Sequence, residues 1–259
     1  MTKLALVTGA TSGIGRAFAE DLAAAGYDLV AVGRREDRLA QLEARHPEVD
    51  IETVATDLST DEGIAEVAQI CASRPLSMLI NNAGVAHYMP LADLGAEQAA
   101  ELVHVKVVAP VMLTRAALPG MLERGEGTVI NVAGMIAFSG PAPSSVMPRR
   151  AVYGGALAGT VAMTQLLAAE LEDTPVRVQV LCPGIVATEF HDVQGLDMSA
   201  VPRMTPQDVV KASWRGLELG EVVTAPGVED TNLLTAVFDA DLAAFGGQSP
   251  ELASRYRSG

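Results

Sequence analysis

The sequence predicts an α/β fold, one doubly wound parallel sheet of about seven strands with helices on both faces, over its 259 residues. Short apolar runs suited to buried strands alternate with longer segments whose apolar residues recur at helical spacing. The first run, Leu4-Ala5-Leu6-Val7, feeds straight into a glycine-rich turn that opens a helix. Hydrophobic residues make up 49% of the chain, a share that suits a sheet buried on both faces. No internal repeat, low-complexity tract or linker interrupts this pattern, and α/β chains of this length are often single domains, so one domain over 1–259 is expected.

The turn is Thr8-Gly9-Ala10-Thr11-Ser12-Gly13-Ile14-Gly15, with its glycines spaced G-x-x-x-G-x-G. Glycine alone serves tight turns that hold no ligand. Between a buried strand and a helix start, however, such a turn offers backbone N–H groups and a helix N-terminus to a pyrophosphate, so Gly9, Thr11, Ser12, Gly13, Ile14 and Gly15 are expected to cradle a dinucleotide. The helix carries Ala17, Phe18, Leu22 and Ala25 at helical spacing and closes at Gly26. Residues 28–33 form the second strand. Its tip reads Gly33-Arg34-Arg35, where an acidic side chain would accept from the ribose 2′-OH of NAD. Two guanidiniums stand there instead, each able to pair with phosphate oxygens, and they favour NADP(H). Their plainer role is as solvated residues opening an exposed helix.

Residues 51–55 are the third strand, ending at Thr56-Asp57-Leu58, where Asp57 at least starts a turn. Residues 76–80 are the fourth, followed by Asn81-Asn82-Ala83-Gly84 beyond its C-terminal end, where ligands of open α/β sheets bind. The small residues let backbone approach a cofactor, so Asn82, Ala83 and Gly84 are expected to line the adenine ribose. A long helix over 95–121 buries Leu102, Val105, Ala109, Met112, Leu113 and Ala116, with Pro110 as a candidate kink. Strand five is 127–132, and the prolines and glycine after it make 134–152 a substrate-side loop. A helix over 151–171, strand six at 176–181, a loop at 185–205, a proline-started helix at 206–219, a last strand near 221–225 and a terminal helix at 232–246 complete the chain.

The Thr-Gly-x-x-x-Gly-x-Gly turn, Asn82-Ala83-Gly84, Tyr153, and Pro183-Gly184 with Thr188 together resemble the short-chain dehydrogenase/reductase family across nearly the whole chain. The resemblance implies a Rossmann-like fold, Asp57 on the adenine amino group and Leu58 against the ring. It also implies a nicotinamide-side loop in which the Val186 backbone and the Thr188 hydroxyl hold the carboxamide. Family members commonly form dimers or tetramers through their two long central helices, so a homodimer or homotetramer is expected. Four catalytic positions are Asn, Ser, Tyr and Lys in the family and read Lys106, Gly134, Tyr153 and Leu157 here.

The family's lysine, four residues after the tyrosine, lies on the same helical face and lowers its pKa. A cation about 4 Å from a phenol is worth roughly 4 kcal/mol at an effective dielectric near 20. Without it, Tyr153 stays protonated at neutral pH, which spares reduction more than oxidation, because a neutral phenol still gives a proton to an alkoxide. Lys106 either points into the pocket as a displaced charge or snorkels at the surface. His87 and His191 face the substrate mouth as polar contacts or acid–base groups, and Ser139, Ser144 and Ser145 are substitute donors or turn caps.

Three functions follow. The first is an NADPH-dependent reductase of a carbonyl in a small apolar or polyketide-like substrate, with Tyr153 as proton donor and Lys106 as aid. The second is a non-redox cyclase, dehydratase or isomerase on the same scaffold, and the third a non-catalytic NADP-binding protein. A net charge of −14 disfavours nucleic acid and anionic membrane surfaces. Cys71 and Cys182 have no metal-type spacing and read as buried thiols, so no metal is expected. No basic leader or run of about eighteen apolar residues is visible, which makes the cytoplasm the expected compartment.

Overall fold

The computed structural model describes residues 3–143, 147–198 and 200–257. The chain divides into two compact units, 1–226 and 227–259, where the sequence reading drew one domain. The first unit holds seven strands: β1 (Leu4–Thr8), β2 (Asp28–Gly33), β3 (Ile51–Ala55), β4 (Leu76–Asn81), β5 (Gly127–Val132), β6 (Val176–Leu181) and β7 (Val223–Thr224). They form one sheet in the order β3-β2-β1-β4-β5-β6-β7, and every pairing is parallel. The order reverses between β1 and β4, the crevice where open α/β sheets bind ligands.

Helices α1 (Gly13–Ala24), α2 (Glu36–Arg45) and α7 (Pro206–Leu219) accompany one apolar cluster, which includes Phe18, Leu22, Leu39, Ile80, Val209 and Leu217. Helices α3 (Asp61–Ser73), α5 (Ala109–Arg124) and α6 (Ala151–Glu170) accompany a second, with Leu6, Val67, Leu79, Leu113, Met121 and Val178. The two clusters lie on opposite faces because alternate strand residues, Ala5 and Val7 against Leu4 and Leu6, point opposite ways.

Several helix ends are written in the sequence. Thr60 accepts from the backbone of Gly63 at the start of α3, and Thr205 does the same for Asp208 at the start of α7. Gly125 and Gly220 end α5 and α7 at φ 70° and 75°, a conformation glycine adopts without penalty. The expected helix over 95–121 is instead α4 (Ala96–Val103), one π turn (His104–Val108) and α5. The π turn leaves the Lys106 carbonyl to Thr160 Oγ1, which donates to it at 3.2 Å. Pro110 sits in the first turn of α5, where its missing N–H is tolerated.

Two helices, at 96–124 and 151–170, are long and apolar enough to cross a membrane by length and composition alone. Here Ala109, Leu113, Ala117 and Met121 pack on the sheet, while Val111, Met112, Leu122 and Leu166 stay exposed, Met112 against the expectation that it joins the buried stripe. The second unit holds α8 (Asn232–Gly246), with Leu233, Leu242 and Phe245 exposed.

Candidate active site

The turn after β1 is shaped by close backbone approach. Gly9 and Gly13 take φ 69° and 54°. A Cβ on Gly9 would stand 2.8 Å from Asn82 Nδ2, and one on Gly15 would collide with Asn82 Nδ2 and the Gly9 carbonyl. Asn82 is held there by Thr8, whose hydroxyl accepts from the backbone N–H groups of Asn82 at 2.9 Å and Ala83 at 3.0 Å. Asn82 Nδ2 in turn donates to the Thr8 carbonyl at 3.0 Å. The Asn82 side chain therefore braces the cradle, while Ala83 and Gly84 lie just behind it. Ser12, at the N-cap of α1, makes no side-chain cap, and the first turn carries no acidic residue. The orphan N–H groups of this helix end suit an anion.

At the tip of β2, Thr11 covers Gly33, where a Cβ would stand 2.6 Å from its methyl. Arg35 donates through Nε and Nη2 to Thr11 Oγ1 at 3.2 and 2.9 Å, through Nη2 to Ser12 Oγ at 2.9 Å, and through Nη1 to Glu189 Oε1 at 2.5 Å. Arg38 Nη1 reaches the two Glu189 oxygens at 3.0 and 2.9 Å. Burial raises the Glu189 pKa, but hydrogen bonds from Arg38, Arg35 and Ser12 outweigh it and hold the carboxyl at about 2. Arg34 turns the other way, 3.9 Å from Asp57 and 3.6 Å from Glu101. Asp57 Oδ1 accepts from the Ser59 backbone at 2.9 Å, the turn role open to it from sequence, and Leu58 is buried.

Tyr153 occupies the first turn of α6, buried, with its ring 5.4 Å edge-on from Tyr88 and 6.5 Å from Phe190. Burial, then the Tyr88 phenol beside it, pushes the Tyr153 hydroxyl well above the usual phenol range, so the group is neutral at pH 7. Tyr88 is raised as well, by burial, with the Tyr153 hydroxyl and Arg150 acting the other way. Leu157, one turn on, is buried, and a Cβ on Gly134 would meet Leu157 Cδ1 and the Pro183 carbonyl at 3.6 Å, ordinary contact distance.

Lys106 lies inside the protein, not at the surface, and burial lowers its pKa to about 8. Its Cε would stand 2.6 Å from a Cβ on Gly84, and its ammonium makes no hydrogen bond or ion pair among the described residues. An uncompensated buried cation is costly.

The loop after β6 is tied back by Pro183, whose carbonyl accepts from Met135 N at 2.9 Å, and by a parallel bridge from Val186 to Met204. Gly184 is open on its Cβ side. Thr188 lies on the cradle: its methyl would meet a Cβ on Gly13 at 2.9 Å, and its hydroxyl accepts from Phe190 N at 3.3 Å. His87 is paired with Glu101 at 3.0 Å, whereas His191 keeps a buried Nδ1 with no hydrogen-bond partner among the described residues, and burial lowers its pKa. Ser139 donates to the Ile136 carbonyl at 2.7 Å and accepts from Arg150, so it is taken up within its loop. Ser144 and Ser145 lie outside the described residues.

Residues 3–198 match the pattern of the short chain dehydrogenases. The chain belongs to the short-chain dehydrogenase family. It is 35% identical over 205 residues to sulfoacetaldehyde reductase 2 of Chromohalobacter salexigens, covering 77% of this chain and 79% of that one. A short-chain dehydrogenase from Sphingobium yanoikuyae in complex with NADPH superimposes with a TM-score of 0.91 at 29% identity, over 98% of this chain and 100% of the other. A bulky-bulky ketone specific alcohol dehydrogenase from Comamonas testosteroni does so with 0.88 at 27% identity, over 99% of each. The family's seven-stranded parallel sheet is the fold seen here.

Sequence reasoning missed four residues of this short-chain dehydrogenase. Tyr88 carries no motif and meets Tyr153 only through the fold. Arg38 was legible, since it stands one helical turn after Arg35 and so shares its face. Arg150 and Glu189 sit in loops whose path no local pattern dictates.

Proposed function

We propose that this chain is an NADPH-dependent short-chain reductase that reduces the carbonyl of a small apolar or polyketide-like substrate, with Tyr153 as proton donor. The single observation that carries this reading is the buried, neutral phenol of Tyr153 at the C-terminal edge of the sheet, on the same side as the glycine cradle. The residues present fit the cofactor. The cradle glycines leave room where any Cβ would collide, the end of α1 is uncapped, and Arg35 and Arg38 already grip an anionic group. Gly9, Thr11, Ser12, Gly13, Ile14 and Gly15 would hold the pyrophosphate and Arg35 with Arg38 the 2′-phosphate, while Arg34, expected there too, turns toward Asp57 and Glu101. Asp57, Leu58, Asn82, Ala83 and Gly84 would bound the adenosine, and Pro183, Gly184, Val186 and Thr188 the nicotinamide.

When bound, NADPH would supply the hydride for the carbonyl carbon. Tyr153 gives its phenolic proton to the carbonyl oxygen, which completes the alcohol, and its phenolate is then reprotonated from solvent. With Leu157 and Gly134 at the positions where the family has lysine and serine, neither a cation one turn along nor a hydroxyl opposite assists. Two buried cations remain, Lys106 and Arg150, and the Lys106 ammonium would favour the developing oxyanion and the phenolate through a poorly screening interior. Tyr88 and Phe190 flank the tyrosine with apolar ring surface, which fits an apolar substrate and excludes water.

The same two residues, Leu157 and Gly134, favour a second reading, in which the chain keeps its nucleotide but performs non-redox cyclisation, dehydration or isomerisation. The exposed Val111, Met112 and Leu122 of α5 and Leu166 of α6 support a homodimer or homotetramer. Transfer of deuterium from 4-labelled NADPH to the product of a ketone panel tests the reductase reading. Labelled alcohol is expected, and product without label overturns it in favour of the non-redox one.

A further inference from the structure

Glu189 follows Thr188, which rests on the second glycine of the cradle, and the two residues together draw the loop after β6 across the end of α1. The Glu189 carboxylate is held by three charge-assisted hydrogen bonds, one from Arg35 at 2.5 Å and two from Arg38 at 3.0 and 2.9 Å. Arg35 is meanwhile oriented by Thr11 and Ser12 of the cradle itself. The two arginines thus form a fork fixed against the nucleotide turn, with a carboxylate between them from a residue 154 positions beyond Arg35.

We propose that Glu189 is an internal anion that occupies the 2′-phosphate site and latches the loop at 185–198 over the cradle, so that a 2′-phosphate opens the loop by displacing it. This rests on the NADP(H) reading above and goes beyond it, because it makes one loop residue both a competitor of the cofactor's phosphate and the link to the substrate side. The physical basis is an exchange of anions. A carboxylate offers two oxygens to the arginine fork, whereas a phosphate monoester offers three and more negative charge, so it wins at the same donors. A dinucleotide without that phosphate has nothing to put in the carboxylate's place. Selectivity against NADH then comes partly from the latch it leaves closed, a repulsive element as well as an attractive one.

The test uses the full chain with 2′,5′-ADP, which carries the 2′-phosphate but no nicotinamide to reward loop closure, and 5′-ADP as the matched control. Wild type and Glu189→Gln are compared by calorimetric affinity and by backbone hydrogen exchange across 185–198. The expected results are faster exchange of this loop in wild type on adding 2′,5′-ADP but not 5′-ADP, and fast exchange in Glu189→Gln with no ligand. Affinity of the variant for 2′,5′-ADP should be on the order of tenfold higher, the scale of one or two charge-assisted hydrogen bonds at a partly exposed site. If 2′,5′-ADP binds both proteins equally and the loop exchanges alike in all states, the latch is wrong while the NADP(H) reading stands. If 2′,5′-ADP binds neither protein, both are wrong.

Discussion

The side chain of Lys106 lies across Gly84: a methyl group placed on Gly84 would stand 2.6 Å from Lys106 Cε and closer still to its ammonium. A lysine on the π turn between α4 and α5 and a glycine after β4 thus share one small space beside the sheet's C-terminal edge. That contact ties the backbone behind the cradle to a buried cation.

Gly84→Ala should therefore push the end of the Lys106 side chain aside at a cost below about 1 kcal/mol, because no backbone atom stands in its way and Gly84 is exposed. In a Lys106→Ala background the same change should cost less than half as much, since the clashing atoms are gone. Urea unfolding of the four proteins checks this, and equal costs in both backgrounds would show that the two residues are not coupled.

The burial of Lys106 sets a pH dependence with a definite sign. Its folded pKa of about 8 lies below the ordinary lysine value of 10.5, so between those values the unfolded chain holds a proton the folded one has lost. Stability from this group rises with pH across that window, and the full penalty, about 3 kcal/mol, is present below it. Lys106→Met should be more stable than wild type near neutral pH, and the gap should close as pH approaches 10.5. Chemical unfolding of both proteins at several pH values reads it directly, and a constant gap would mean the lysine is not desolvated.

Gly134→Ser should fold normally. Its backbone, at φ 166°, is extended and suits any residue, and its Cβ would meet Leu157 and Pro183 only at 3.6 Å. If a hydroxyl there reaches the carbonyl of the substrate, kcat for reduction should rise on the order of a hundredfold, the scale of one oxyanion donor. A rate unchanged in a folded Gly134→Ser would place the substrate oxygen elsewhere.

Both cysteines are buried, and burial pushes each thiol up to about 12. Neither should react with a disulfide reagent in the native protein at pH 8, and both should react in denaturant. Fast native labelling of either would contradict the packing around β6 or α3.

The strands were largely legible because each is a short apolar run bounded by turn residues. Strands β2, β3, β5 and β6 begin and end where their patterns do, while β7 shrinks to Val223–Thr224 because pairing with β6 decides how far it extends. The π turn was not legible, since it depends on the Thr160 hydroxyl taking the Lys106 carbonyl from a helix more than fifty residues away. Lys106 was read as facing either pocket or solvent, and only its packing against Gly84 separates the two. Tyr153 and the cradle announced themselves by motif. Glu189 did not, because an isolated glutamate in a loop carries no sign of the arginines it will meet.

The most direct measurement of the central claim is the single-turnover rate of ketone reduction by saturating NADPH in wild type and in Tyr153→Phe, at equal stability. Loss of the phenolic proton should slow the variant by about a hundredfold to ten-thousandfold, the range for a general acid, with NADPH affinity unchanged. A Tyr153→Phe protein that reduces the ketone at the wild-type rate would contradict the account.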